Sequence, residues 1–282
     1  MKLRSVVFPL ALSIPFAGSA AGCSLDAHGI APTVDASTVD ASTADVITKP
    51  EGGPLQTNWC ATIGAGHDFC ADFDASLKGT EPGAWCNGVT TGTCNSIENG
   101  GTLTLDTTAS TSPPASANAT TMAGGGAAKA LLTREFPGDL HPLSLAFNAR
   151  VDAAAAGKTA IAGITLENVD GNPHQVALLA AASATDAGAG VTLSVVEVPL
   201  GGLTRTTPLS LTLPLNTFAR VEVRVGIAPN TVTVIVNGVA SSPVTIDAPG
   251  SATGRTVQVG LDSTPAAAWQ LHFDDVTFDF TK

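Results

Sequence analysis

The chain contains no tyrosine, and its 282 residues include only 3 tryptophans and 10 phenylalanines. Flat platforms for stacking sugars or bases are therefore scarce. Cations are scarce too: 13 Lys and Arg stand against 24 Asp and Glu, a net charge of −11 at pH 7. Nucleic-acid binding needs a basic stripe facing the phosphates, so that class of partner is excluded. No segment reaches the roughly 20 consecutive apolar residues of a membrane-spanning helix. Glu and Lys are few, and no long stripe of period 3.6 runs through the chain, which argues against a helical fold. What is plentiful is Val, Leu, Ile, Ala, Thr and Gly.

The first residues carry an export signal. Lys2 and Arg4 precede an apolar run from Val6 to Phe16, and small residues follow from Ala17 to Gly22. This order is that of a signal peptide, expected over residues 1–22. The segment Ala20-Ala21-Gly22-Cys23 resembles the lipobox of a bacterial lipoprotein, with Ala20 where Leu is usual. The resemblance implies a lipid on Cys23 that attaches the chain to the membrane. Ser24, in place of Asp, implies the outer membrane. The other reading is ordinary cleavage after Ser19-Ala20-Ala21, which leaves Cys23 a plain thiol. Parity favours lipidation, because Cys23 is the odd one of 5 cysteines. Residues 23–57 then form a flexible acidic tether. Val34-Asp35-Ala36-Ser37-Thr38 nearly repeats as Val39-Asp40-Ala41-Ser42-Thr43, and such small polar residues cannot offset chain entropy by burial.

Residues 58–282 are long enough for one globular unit with a full core. Short alternating runs recur there, punctuated by Gly, Pro, Asn, Asp and Ser, as in a sandwich or barrel. In Arg220-Val221-Glu222-Val223-Arg224-Val225 the valines face a core and the charged residues face water. Val232, Val234 and Val236 alternate in the next strand, which ends at Asn237-Gly238, a type I′ hairpin signal. Further strands are predicted at 103–105, 129–136, 143–151, 161–167, 176–181, 191–198, 209–213 and 257–261. Residues 106–127, rich in Thr, Ser, Ala and Gly, read as a long loop. In the last strand Trp269, Leu271 and Phe273 are odd, while Val276, Phe278 and Phe280 are even. Both sets can be inside only with one extra residue, so a β-bulge is predicted at Asp274-Asp275.

Several segments together resemble the concanavalin A-like lectin/glucanase jelly roll in its laminin-G-like form. They are Asp68-Phe69-Cys70-Ala71-Asp72-Phe73-Asp74, Phe218-Ala219-Arg220-Val221-Glu222-Val223, Val236-Asn237-Gly238, Val257-Gln258-Val259-Gly260-Leu261 and Phe273-Asp274-Asp275-Val276. The resemblance covers most of residues 68–280. It implies an all-β, two-sheet antiparallel sandwich whose first and last strands pair.

Cys60, Cys70, Cys86 and Cys94 lie close together in an exported chain, where disulfides are the default. Four cysteines allow three pairings, and proximity favours Cys60–Cys70 with Cys86–Cys94. Their spacing does not suit a zinc site. If the terminal strands pair, Asp72, Asp74, Asp274, Asp275 and Asp279 converge on one region. Such a carboxylate group suits a structural calcium ion, against the alternative of acids on a wet face. Retaining glycosidases need two carboxylates about 5.5 Å apart, and no Glu-x-Asp-x-x-Glu run occurs. Glu167, Asp170 and Asn172 do not reproduce it. The 5 histidines are scattered, and the absence of tyrosine removes the Tyr–His pair that many polysaccharide lyases use. Trp269 belongs to the core by its phase. Trp59 and Trp85 are the remaining aromatic candidates for a sugar platform, against packing on a disulfide. The reading that follows is a surface-anchored, non-catalytic binding or adhesion module for extracellular polysaccharide or a cell-surface protein. The alternatives are a polysaccharide-active enzyme on the same fold, a hydrolase or lyase, or a structural envelope lipoprotein.

Overall fold

The computed structural model describes residues 59–62, 66–74, 77, 85 and 95–280, apart from 125, 139–140, 156, 169–172, 183–189, 200–201, 250–251 and 265. The signal segment, Cys23, the tether, Cys86 and Cys94 lie outside the described residues. The described residues form two antiparallel sheets packed face to face. Sheet A runs β13 (Val239–Ala240), β12 (Asn230–Val236), β11 (Ala219–Ile227), β6 (Leu143–Ala154), β16 (Trp269–Phe280), β4 (Ser116–Thr121) and β3 (Thr102–Asp106). In addition β1 (Phe69–Ala71) pairs with β16 and β14 (Val244–Thr245) with β12. Sheet B runs β10 (Arg205–Leu213), β9 (Val191–Val198), β8 (Pro173–Ala182), β7 (Lys158–Asn168), β15 (Ala252–Ser263), β5 (Ala128–Pro137) and β2 (Asn95–Glu98). This is the jelly-roll sandwich expected from the sequence.

The alternation sets the layers. Val221, Val223 and Val225 of β11 and Val232, Val234 and Val236 of β12 are buried between the sheets. Each buried valine contributes on the order of 1.5–3 kcal/mol relative to exposure. The β11–β12 hairpin turns at Ala228-Pro229 and continues into β13 through Asn237 and Gly238. Both take positive φ (48° and 82°), as a type I′ turn requires. The terminal strands pair as expected, with Phe69 opposite Phe278 and Ala71 opposite Val276.

The bulge in β16 is present where the phase change demanded it. Its register against β6 slips between Asp274 and Thr277, and Asp275 takes φ 50°. The slip divides one edge of β16: β4 pairs with Trp269 to Phe273, and β1 takes over from Val276 to Phe278. Residues 106–127 are not the long loop expected. They contain β4, between β16 and β3. Its inward residues, Ala117 and Ala119, are fully buried but too small to make a hydrophobic period conspicuous.

Candidate functional site

The outer face of sheet B carries a small open depression of about 90 Å³, smaller than an enclosed ligand pocket. It is built from cross-strand rows. One row runs Thr133, Gln258, Gly163, Ala177 and Val196 across β5, β15, β7, β8 and β9. The next runs Glu135, Thr256, Thr165, Gln175 and Val198. On the other side lies Glu98, Lys129, Asp262 and Ala160. The middle is low because its side chains are small: Gly163, Ala160, Ala162 and Ala177 line the floor, and Gln258, Gln175, Thr165 and Asp262 stand around it. A Cβ on Gly163 would come 3.3 Å from Gln258 Oε1. The amide of Gln258 therefore lies across this glycine, with Nε2 donating to Thr133 Oγ1 at 3.4 Å.

Asp262 reaches the depression by alternation, on the same face of β15 as Gln258, four residues on. Between Val259 and Asp262 the register of β15 against β7 slips, and Gly260 takes φ 128°. Here only glycine fits: a Cβ would lie 2.2 Å from the carbonyl oxygen of Ala130. Asp262 is the one ionisable residue among those lining the depression. Burial raises its pKa above the usual carboxylate range, Lys129 opposes the rise, and Glu98 adds to it. Lys129 sits opposite Asp262 and its Nζ is 3.1 Å from Glu98 Oε1. The arrangement is an amide-rimmed hollow with a carboxyl group of enhanced basicity at its edge. Sequence reasoning missed it. The alternation in Val257-Gln258-Val259 placed Gln258 outward, but the floor beside it comes from Ala160, Gly163 and Ala177 on β7 and β8, which only the fold sets next to β15.

The residues singled out from the sequence lie elsewhere. The Cys60–Cys70 disulfide is present and ties the short helix α1 (Trp59–Thr62) to β1. Trp59 is half-buried, with the Arg220 guanidinium 5.8 Å from its ring centroid. Trp85 is no platform. It is fully buried, edge-on to Phe69 at 5.0 Å and stacked on Phe73 at 6.4 Å.

Asp72, Asp74, Asp274 and Asp275 do approach one another where β1 meets the β16 bulge, but three of them are buried instead of lying on a wet face. Asp274 Oδ2 accepts from the Thr111 N–H (2.8 Å), the Ser112 N–H (3.1 Å) and the Thr111 hydroxyl (3.0 Å). Asp275 accepts from the Ser112 hydroxyl (2.5 Å) and Asn148 Nδ2 (2.8 Å). Asp72 accepts the Cys60 N–H at 3.2 Å. These carboxylates clamp the segment before β4 onto sheet A. Burial and the neighbouring Asp275 push Asp274 up to about 7, against the hydrogen bonds from Ser112 and Thr111. Burial, then Asp72 and Asp275, push Asp74 up to about 6. Among the described residues no three Asp, Glu, His or Cys side chains come together as a metal site. Asp279 is turned away and pairs with His67 at 2.7 Å.

His272 faces away from the core, as its phase predicts, yet it is buried. Its Nε2 lies 3.2 Å from Asp152 and 3.7 Å from Asp106, and its Nδ1 3.3 Å from Ser116 Oγ. The set imitates a nucleophile–base–acid relay. However, Ser116 is fully buried and its hydroxyl donates to the Ala109 carbonyl at 2.6 Å, so it presents no nucleophile. Burial holds the imidazole below its usual pKa, more than Asp152 and Asp106 raise it. His174 is likewise buried, 3.0 Å from Glu197, which also binds Arg205 at 2.7 Å.

No protein-family model matches the chain, and no curated protein matches it in sequence. Solved structures do match in fold. An endo-β-1,4-glucuronan lyase from the fungus Trichoderma reesei superposes with a TM-score of 0.56 over 76% of this chain and 96% of its own, at 13% identity. An alginate lyase from Klebsiella pneumoniae gives 0.48 over 61% and 84% at 10% identity. Another, from the marine Zobellia galactanivorans, gives 0.46 over 59% and 78% at 12% identity. The fold is thus the jelly-roll sandwich of the concanavalin A-like class. The expectation of a non-catalytic binding module, with an enzyme as the alternative, is corrected by this comparison. The glucuronan lyase has this sandwich across nearly its whole length, and the comparison backs the alternative of a polysaccharide-active enzyme.

Proposed function

We propose that the protein is a polysaccharide lyase that cleaves a uronic-acid-containing chain by β-elimination in the depression on the outer face of sheet B. The observation that carries this reading is that one carboxyl group of raised pKa, Asp262, lines the same depression as the side-chain amides of Gln258 and Gln175, around a floor of Gly and Ala. The shared sandwich with a glucuronan lyase supports it at the level of fold. A hydrolase needs a second carboxyl group at the bond being broken, and the described lining supplies only Asp262.

β-Elimination asks for less. The proton on C5 of a uronate is α to the carboxyl group and becomes removable when the developing enolate is stabilised. In this reading the Gln258 amide, turning its N–H from Thr133, donates to the carboxyl oxygen that receives that charge. The ionised Asp262 takes the C5 proton, and its raised pKa makes it a stronger base than an ordinary carboxylate. The electron pair forms the C4=C5 double bond as the C4–O bond breaks. Protonated Asp262 then returns its proton to the leaving oxygen.

The test is incubation of the full chain with glucuronan, alginate and pectin, following the ultraviolet absorbance of the unsaturated product. Product from at least one polymer is expected, with activity abolished in Asp262→Asn and reduced about 10- to 1000-fold in Gln258→Ala. Product formation undiminished in Asp262→Asn would overturn the assignment, as would no product from any polymer. The lipobox-like segment would place this activity at the outer membrane. Labelling with a fatty-acid analogue, present in the parent chain and lost in Cys23→Ala, tests that placement.

A further inference from the structure

The outer face of sheet A, across the sandwich from the depression, carries an element that the core does not explain. The helix α1 is four residues long and has no buried residue. A helix this short does not hold itself together in water, and with nothing buried it gives the core nothing. It is nevertheless fixed twice, by the Cys60–Cys70 disulfide and by Asp72, which accepts the Cys60 N–H at 3.2 Å. What it carries is Trp59, next to the bonded cysteine. Trp85 and Trp269 are 0% and 2% exposed, so Trp59 is the one tryptophan at the surface.

Its ring lies over the Arg220 guanidinium, with the centroid 5.8 Å from Cζ. Arg220 faces outward from β11, between the inward Ala219 and Val221. It is itself held, donating to the Asp275 carbonyl at 2.7 Å and the Thr277 hydroxyl at 3.2 Å. Shielding does not account for the tryptophan. Burial lowers the pKa of Arg220, so covering the guanidinium costs it hydration. Trp59 is thus a half-buried ring mounted on a fixed support.

Phe218 precedes Arg220 by two residues and stands on the same side of the sheet, about 7 Å along the strand. It too is half-buried, with the Arg150 guanidinium 6.0 Å from its centroid. Arg150 gives Nε to Asp152, and its terminal nitrogens form no hydrogen bond among the described residues. The charges around the two rings are matched: Arg150 by Asp152, Arg224 by Glu222, and Arg220 by the nearby Asp275.

We propose that this face binds a neutral polysaccharide, whose pyranose rings stack on Trp59 and Phe218 and whose hydroxyl groups meet the terminal nitrogens of Arg150. A pyranose offers flat C–H faces to aromatic rings and hydroxyl groups at its edge. Matched charges suit hydroxyls, which both donate and accept, better than a run of carboxylates. A platform fixed by a disulfide loses little freedom on binding. No bond is made or broken here, and the surface works whether or not the depression cleaves a polymer.

Short oligosaccharides of cellulose, xylan and mannan, with glucuronan for comparison, test this on the full chain. With Trp85 and Trp269 buried, iodide quenches the fluorescence of Trp59, and at least one neutral oligosaccharide should protect it in a saturable way. In titration calorimetry that binding should weaken at least about fivefold in Trp59→Ala and in Phe218→Ala. It should be largely kept in Trp59→Phe, which retains a ring and so separates stacking from any loss of fold. It should be unchanged in Asp262→Asn and on adding salt, since no net charge is engaged. Failure of every neutral oligosaccharide to protect Trp59 overturns the proposal, as does binding that Trp59→Ala and Phe218→Ala leave intact. Binding of glucuronan alone, lost on adding salt, overturns the neutral class of ligand.

Discussion

Two carboxyl groups of raised pKa, in opposite faces of the sandwich, give different signatures. At Asp262 the expected signature is in the rate of the proposed lyase reaction. In the proposed role its ionised form is the base, so kcat/KM should rise with pH along an acid limb set above the ordinary Asp value. The neighbours set where. Lys129 lowers the pKa of Asp262 and Glu98 raises it, so Lys129→Ala should move the limb to higher pH and Glu98→Ala to lower pH. Shifts in the same direction for both, in pH–rate profiles, would remove Asp262 from the role of base. At Asp274 the signature is thermodynamic. The folded state holds this proton up to about pH 7, while the unfolded chain releases it near 3.8. Its contribution is present below pH 3.8 and is lost as pH rises to about 7. The slope is at most about 1.4 kcal/mol per pH unit. Asp74, pushed up only to about 6 and less buried, adds a smaller, solvent-screened share. Asp274→Asn should keep the hydrogen bonds from Thr111 and Ser112 to its carbonyl oxygen and flatten most of this dependence. Urea midpoints measured from pH 4 to pH 8 would show it, and an unchanged slope would count against the clamp as the source.

At the scale of the strand, two glycines in neighbouring strands make opposite predictions. Gly260, at φ 128°, has the Ala130 carbonyl oxygen 2.2 Å from where a Cβ would stand. Gly260→Ala should destabilise the protein by about 3 kcal/mol or more, because neither the backbone angle nor the contact can be relieved locally. Gly163 has no such constraint, since its Cβ would meet only the end of the Gln258 side chain at 3.3 Å. Gly163→Ala should therefore melt within a few degrees of the parent protein and lose activity, because it fills the floor of the hollow. A loss of activity matched by a loss of fold would show that the floor is structural only. These two positions also mark what the sequence could and could not disclose. Strict alternation in β11 and β12, Asn237-Gly238 and the phase change in Trp269 to Phe280 were legible, since each depends on near neighbours. β4 was not, because alanines give a weak period and its place is set by β16 and β3. The convergence of Asp72, Asp74, Asp274 and Asp275 followed from pairing the terminal strands. Their burial did not, because Thr111 and Ser112 cover them from a distant part of the chain. The hollow was hidden for the same reason, since its floor of Ala160, Gly163 and Ala177 belongs to β7 and β8, which only the fold brings beside Gln258 and Asp262 of β15.

For the whole molecule, the question is whether the short β1, with its disulfide-tied helix, belongs to the same cooperative unit as the sandwich. β1 is only three residues long, yet it sits about 200 residues from its partner in sequence and closes the sheet through Phe69 opposite Phe278. Phe69 also reaches across the sandwich: its ring is 5.0 Å from Trp85 and 5.9 Å from Phe136, which belongs to sheet B. Phe136 in turn stacks on Phe278 at 4.7 Å, so one aromatic cluster joins β1, β5 and β16. Removing the Phe69 ring should cost about 3–5 kcal/mol, much of the roughly 5–15 kcal/mol that a typical domain possesses. Because the cluster spans both sheets, the loss should fall on global unfolding and not on local fraying of the N-terminal strand. In urea, tryptophan fluorescence and far-ultraviolet circular dichroism of Phe69→Ala should therefore shift together to a lower midpoint as one transition. Fluorescence reports Trp59 in the disulfide-tied helix, Trp85 beside β1 and Trp269 in β16, whereas dichroism reports the strands as a whole. An early fluorescence change with an unmoved dichroism transition would mean that β1 docks onto an independently stable sandwich. In that case the terminal-strand pairing would be an attachment and not part of what folds the sandwich.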